Sequence, residues 1–142
     1  TSSYISSYSN TPQNLSIGPN SIEFSNDQVA GSGITHGGPT YSEFTISIPG
    51  TYLVSWTVEL TTTTDDNYAL SLYVNSTVVD PEAIQLVDFS TGGGTTYYSG
   101  SYLINVSTAS DTISLQMSST GGEANLGNRT ISIMLVSPSD PG

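Results

Sequence analysis

From residue 42 to residue 62 the chain alternates apolar and polar side chains almost without a break. Phe44, Ile46 and Ile48 share one face of a first segment, and Tyr52, Val54, Trp56, Val58 and Leu60 share one face of a second. A period of two carried by β-branched and aromatic residues predicts half-buried antiparallel strands. Between the segments, Pro49 presets its own backbone angle and Gly50 accepts a positive one, so a turn is expected there. The same pattern predicts strands near 3–9, 13–18, 21–25, 42–48, 51–62, 67–75, 77–87, 96–107, 111–119 and 129–137. No stretch sustains helical spacing for more than a turn, and the chain is expected to be an all-β sandwich or barrel. Asn75-Ser76 is read as a tight hairpin, and Thr91-Gly92-Gly93-Gly94-Thr95 and Thr120-Gly121-Gly122 as loop tips. Pro81 marks an edge or irregular strand. Loops are expected around 26–41, 61–67, 88–96 and 119–128.

Composition sharpens this picture. The 142 residues suit one domain spanning 1–142, large enough to bury a core without staples. Cysteine is absent, which removes disulfides and thiolate chemistry. No apolar run approaches the roughly 20 residues that span a bilayer. Charged residues make up 9% of the chain, with one cation, Arg129, no lysine and a net charge of −11. An ordinary domain carries about 25% charged residues, so solubility here rests on Ser and Thr, about a third of the chain. A strongly acidic chain has no lysine or arginine cluster to displace counterions from nucleic acid, and it is repelled by anionic membranes. The uncharged, hydroxyl-rich texture suits an extracellular surface.

Chemistry-bearing motifs are few. His36, the single imidazole, lies in Gly-Ile-Thr-His-Gly-Gly-Pro and reads as a solvated or loop-packing histidine. Asp65-Asp66-Asn67 is the densest carboxylate cluster, but a calcium site takes six to eight oxygens and the spacing of a dedicated loop is missing. Asp65 and Asp66 therefore stand as weak metal candidates, with Glu59, Asp80 and Glu82 weaker still, and no metal or cofactor is expected. There is no Gly-x-Ser-x-Gly elbow before a helix and no sign of a paired-carboxylate cleft, so no catalytic residue is assigned. Tyrosine carries the strongest signal: nine, against three Phe and one Trp. A buried phenol must find a partner, and tyrosine is enriched at interfaces. Alternation sorts one strand into Tyr98, Tyr102, Ile104 and Val106 on its core face and Tyr97, Ser99, Ser101 and Leu103 on the other. Leu53, Ser55, Thr57 and Glu59 likewise lie opposite the core.

Phe44, five residues, Gly50-x-Tyr52-x-Val54-x-Trp56 resembles the last half of the signature of the complement-C1q/tumour-necrosis-factor superfamily, with Val54 in place of an aromatic. The upstream half does not register, since Gly37 falls where an aromatic belongs. Tyr97-Tyr98-Ser99-Gly100-Ser101-Tyr102-Leu103-Ile104 followed by Asp111-Thr112-Ile113-Ser114-Leu115 resembles the family's sixth and seventh strands. In texture the chain resembles the C-terminal heads of bacterial collagen-like surface proteins, such as spore exosporium filament glycoproteins. The resemblance implies a ten-stranded antiparallel jelly roll. It also implies a homotrimer packed about a threefold axis by the face of Tyr97, Ser99, Ser101, Leu103, Leu53, Ser55 and Thr57. The expected protein is a non-enzymatic head capping a collagen-like stalk on a bacterial or spore surface, open to a surface-anchoring or host-receptor partner. The rival reading is a carbohydrate- or receptor-binding jelly roll, such as a phage or viral fibre tip.

Overall fold

The computed structural model describes residues 3–38, 40–62, 67–79, 85–88, 94–121 and 124–139. Its thirteen strands among these residues are β1 (Tyr4–Ser9), β2 (Gln13–Leu15), β3 (Gly18–Ser21), β4 (Asn26–Ala30), β5 (Ile34–Gly37), β6 (Glu43–Ile46), β7 (Gly50–Thr62), β8 (Asn67–Val74), β9 (Thr77–Val78), β10 (Gln85–Asp88), β11 (Gly94–Val106), β12 (Asp111–Ser119) and β13 (Ala124–Pro138). They form two antiparallel sheets. Sheet A runs β11-β7-β13-β1-β4, with β2 also on β13. Sheet B runs β10-β8-β12-β6-β5, with β3 also on β12 and β9 on β8.

The buried residues gather into one cluster between the sheets. Sheet A sends in Tyr52, Val54, Trp56, Val58 and Leu60 from β7, Tyr98, Ile104 and Val106 from β11, and Ile131 and Ile133 from β13. Sheet B answers with Phe44, Ile46, Tyr68, Leu70, Leu72, Ile113 and Leu115. Two expected core residues are only half-buried. Ile48 lies beyond the end of β6, in the passage between sheets, and Tyr102 lies on β11, the edge strand of sheet A, where one flank is uncovered.

The segments flanking Pro49-Gly50 do not pair with each other. β6 belongs to sheet B and β7 to sheet A, so the Pro-Gly step is a corner where the chain crosses the sandwich. Gly50 also differs from expectation, since it is not among the positive-φ glycines. A Cβ there would lie 2.5 Å from the Ser137 carbonyl oxygen and 2.9 Å from Pro138 Cα, so glycine is needed for close approach of β13. Tyr52 locks the corner: its hydroxyl donates to the Ile48 carbonyl (2.6 Å) and meets the Ser3 hydroxyl. This is the geometry of a tyrosine corner. Burial raises the Tyr52 phenol's pKa, with the Ser3 bond opposing.

The Asn75-Ser76 turn joins β8 to β9, and Asn75 takes the positive φ (56°) that asparagine tolerates. Four expectations change. The strands read at 13–18 and 21–25 are β2, which ends at Leu15, and β3, over Gly18–Ser21. Residues 26–41, read as a loop, contain β4 and β5. The single strand read at 77–87 is β9 and β10, with 80–84, including Pro81, outside the described residues. The strand read at 129–137 extends back to Ala124. β4 escapes a pattern reading because all five of its residues are exposed at a sheet edge, so nothing enforces alternation.

Candidate functional site

The outer face of sheet A brings the expected interface residues together by register. Tyr97 faces Glu59 across β11 and β7, Ser99 faces Thr57, Ser101 faces Ser55, and Leu103 faces Leu53. The rows continue onto β13 and β1. Leu53 pairs with Met134 and Met134 with Tyr4, so Leu103, Leu53, Met134 and Tyr4 make an apolar row across the strands. Beside it, Ser101, Ser55, Ser132 and Ser6 make a row of serines, and Ser99, Thr57, Thr130 and Tyr8 a third. Leu103 is 57% exposed, Met134 50%, Tyr4 40% and Tyr97 60%. Met134 and Tyr4 were not singled out from the sequence. The signal was present in β13, where Met134 falls on the polar side of the alternating Ile131 and Ile133.

Among the described residues, Glu59 is the one charged side chain in these rows. Its carboxylate accepts the Tyr97 hydroxyl (2.6 Å) and the Asn128 backbone N–H (2.9 Å). Those two bonds, the phenol's first, lower the pKa of the Glu59 carboxyl, and the carboxylate raises that of the Tyr97 phenol.

Glu59 also sits over an irregularity. Leu126 pairs with Leu60 and Arg129 with Val58, leaving Gly127 and Asn128 together opposite Glu59 as a β-bulge. A Cβ on Gly127 would collide with the Glu59 carboxylate. The bulge turns Arg129 inward, where it is 3% exposed. Its Nε donates to the Glu23 carbonyl (2.6 Å) and its Nη1 to the carbonyls of Thr11 (2.8 Å) and Gly127 (2.7 Å). Burial lowers the guanidinium pKa, and the Glu23 charge opposes that shift. The chain's single cation is thus a tie between β13 and the segments around Thr11 and Glu23. Sequence alone gave no sign of this, because the cage is built from backbone carbonyls.

His36 is on β5, not in a loop, and its side chain is 2% exposed. Its Nδ1 lies 2.5 Å from Asp27 Oδ1, its Nε2 2.7 Å from the Tyr41 carbonyl, and its ring stacks on Phe44 with centroids 4.2 Å apart. The imidazole is therefore a packed cross-link between β4, β5 and β6. Among the described residues no three metal-binding side chains converge; Asp65, Asp66, Asp80 and Glu82 lie outside those residues. No helix among them is long and apolar enough to cross a membrane.

Solved structures share the fold. The globular domain of zebrafish complement 1qA protein superposes with a TM-score of 0.68 at 11% identity, covering 98% of this chain and all of that one. Murine APRIL at pH 5.0 gives 0.59 at 13% identity, over 95% and 100%. PRD1 vertex protein P5 gives 0.60 at 16% identity, over 94% of this chain and 72% of that one. The sandwich is thus of the C1q/TNF-like jelly-roll type. A comparison with curated proteins found no sequence match. The family model described as the BclA C-terminal domain matches residues 4–137, and the chain belongs to that family.

Proposed function

We propose that this chain is a non-enzymatic, trimerising head on a collagen-like protein of the bacterial spore surface, a single domain whose work is assembly and a durable outer layer. Membership of the BclA C-terminal domain family supports the setting. The observation that carries the assembly reading is the outer face of sheet A, with its exposed apolar row and its near absence of charge. Each chain carries −11, so copies repel unless they meet through a neutral surface. The serine and threonine rows are neutral and short enough for close approach, and Leu103, Leu53, Met134 and Tyr4 supply area worth hiding from water. A threefold ring would bring three chain starts together, as a collagen triple helix requires. Light scattering at micromolar concentration is expected to give about three times the 14.9 kDa chain mass. A monomer at every concentration would overturn the reading.

A further inference from the structure

At the opposite edge of sheet A from β11, a cleft of about 520 Å³ opens between β1, β4 and β13. Two bulges frame it. One is the Gly127-Asn128 bulge of β13. The other is in β4, where Val29 pairs with Ser6 and Asp27 with Ser7, leaving Gln28 as the extra residue. Bulges re-aim side chains, and here Gln28 and Asn128 both line the cleft.

Its two charged groups are held in place from behind. Arg129 has its Nε and Nη1 committed to carbonyls, and among the described residues Nη2 has no partner. Asp27 spends Oδ1 on the Ser7 hydroxyl (2.6 Å) and on His36, which leaves Oδ2 without a partner among those residues, on a side chain 43% exposed. The amides of Asn10, Gln28 and Asn128 make no internal hydrogen bond among the described residues. By contrast, Gln13, Asn20 and Asn75 spend theirs on neighbouring strands and turns. Tyr8 adds an aromatic ring and Thr130 a hydroxyl.

We infer that this cleft binds a neutral saccharide of one or two rings. One carboxylate and one guanidinium cancel, so the lining favours no net charge on the ligand, and the −11 chain repels anions. Sugar hydroxyls each donate and accept, as the side-chain amides of Asn10, Gln28 and Asn128 do, while Asp27 Oδ2 can only accept and Arg129 Nη2 can only donate. The Tyr8 ring offers a surface to the apolar face of a pyranose. The volume lies within the range of small-ligand sites. The inference does not rest on the trimer: Tyr8 and Thr130 end the third outer row, four residues along β1 and β13 from Tyr4 and Met134 of the apolar row.

The test is proton–nitrogen correlation spectroscopy of the whole protein with methyl glycosides of neutral hexoses, 6-deoxyhexoses and N-acetylhexosamines at millimolar concentration. Sialic acid and inorganic phosphate serve as charged probes. A neutral glycoside is expected to shift the amides of Tyr8, Asn10, Gln28 and Asn128 saturably. Gln28→Ala combined with Asn128→Ala should weaken that binding by about tenfold or more, with an unchanged melting temperature. Silence from every neutral glycoside, tighter binding of sialic acid or phosphate, or indifference to the double substitution overturns the site. Light scattering on the same samples reads the assembly state separately, so either idea can fail alone.

Discussion

Replacing Tyr52 with Phe would keep the ring in the core and remove the hydroxyl that joins Ile48 to Ser3. Two polar groups at a buried corner would lose their shared partner, and the variant is expected to lose about 1–3 kcal/mol in denaturant unfolding. An unchanged midpoint would show that the corner holds without its tie. Tyr97 and Glu59 form a different kind of pair, on the surface. With site-resolved carbon shifts, the Tyr97 phenol should ionise above the ordinary tyrosine range, and Glu59→Gln should return it toward that range. Because the Glu59 carboxyl is lowered on folding, its contribution to stability is present above the ordinary carboxylate range and fades as pH falls through the lowered value. A Tyr97 titration indifferent to Glu59→Gln would break the pair.

At the scale of elements, Gly50 shows what a pattern reading captures and what it misses. Alternation predicted β7 and its buried face, because a long strand with one dry side leaves a period-two record. It did not predict the partner, since inward-facing residues look the same whether the next strand lies alongside or across the core. The crossing at Pro49-Gly50 is therefore visible only in three dimensions, as is the reason for glycine. Gly50→Ala is expected to destabilise by about 1–3 kcal/mol: the Leu135 methyl could turn aside, but the Ser137 oxygen and Pro138 Cα belong to the β13 backbone and cannot rotate away. A melting temperature equal to wild type would mean that β13 yields at no cost. The candidate site divides the same way. β11 and β7 gave up their outward rows to simple alternation. Met134 on β13 and Tyr4 on β1 joined those rows only through cross-strand register. The cleft at β4 depends on two bulges, and one inserted residue leaves no mark in a periodic pattern.

For the whole molecule, neighbouring tyrosines separate assembly from folding. Tyr97 is 60% exposed and Tyr98 8%, so the same substitution meets solvent or partner at one and the core at the other. Tyr97→Asp would gather extra negative charge where the proposed copies meet, and it should lower the mass by light scattering toward the monomer. Tyr98→Asp should unfold the chain, by putting a carboxylate between the sheets. A Tyr97→Asp trimer with wild-type melting would place the interface elsewhere. Burial of Arg129 has a consequence of another sort. As the chain's only Lys or Arg, it is the one position after which trypsin cuts. The bond to Thr130 lies in the middle of β13, with Val58 and Thr57 of β7 on one side and Ser9 and Tyr8 of β1 on the other. A protease takes its substrate as a free extended segment, so both ladders must part before cleavage. Where opening and reclosing outpace cutting, the digestion rate measures the equilibrium population of the opened head. The chain thus carries its own stability gauge: a single cut whose speed reports what fraction of the heads stands open.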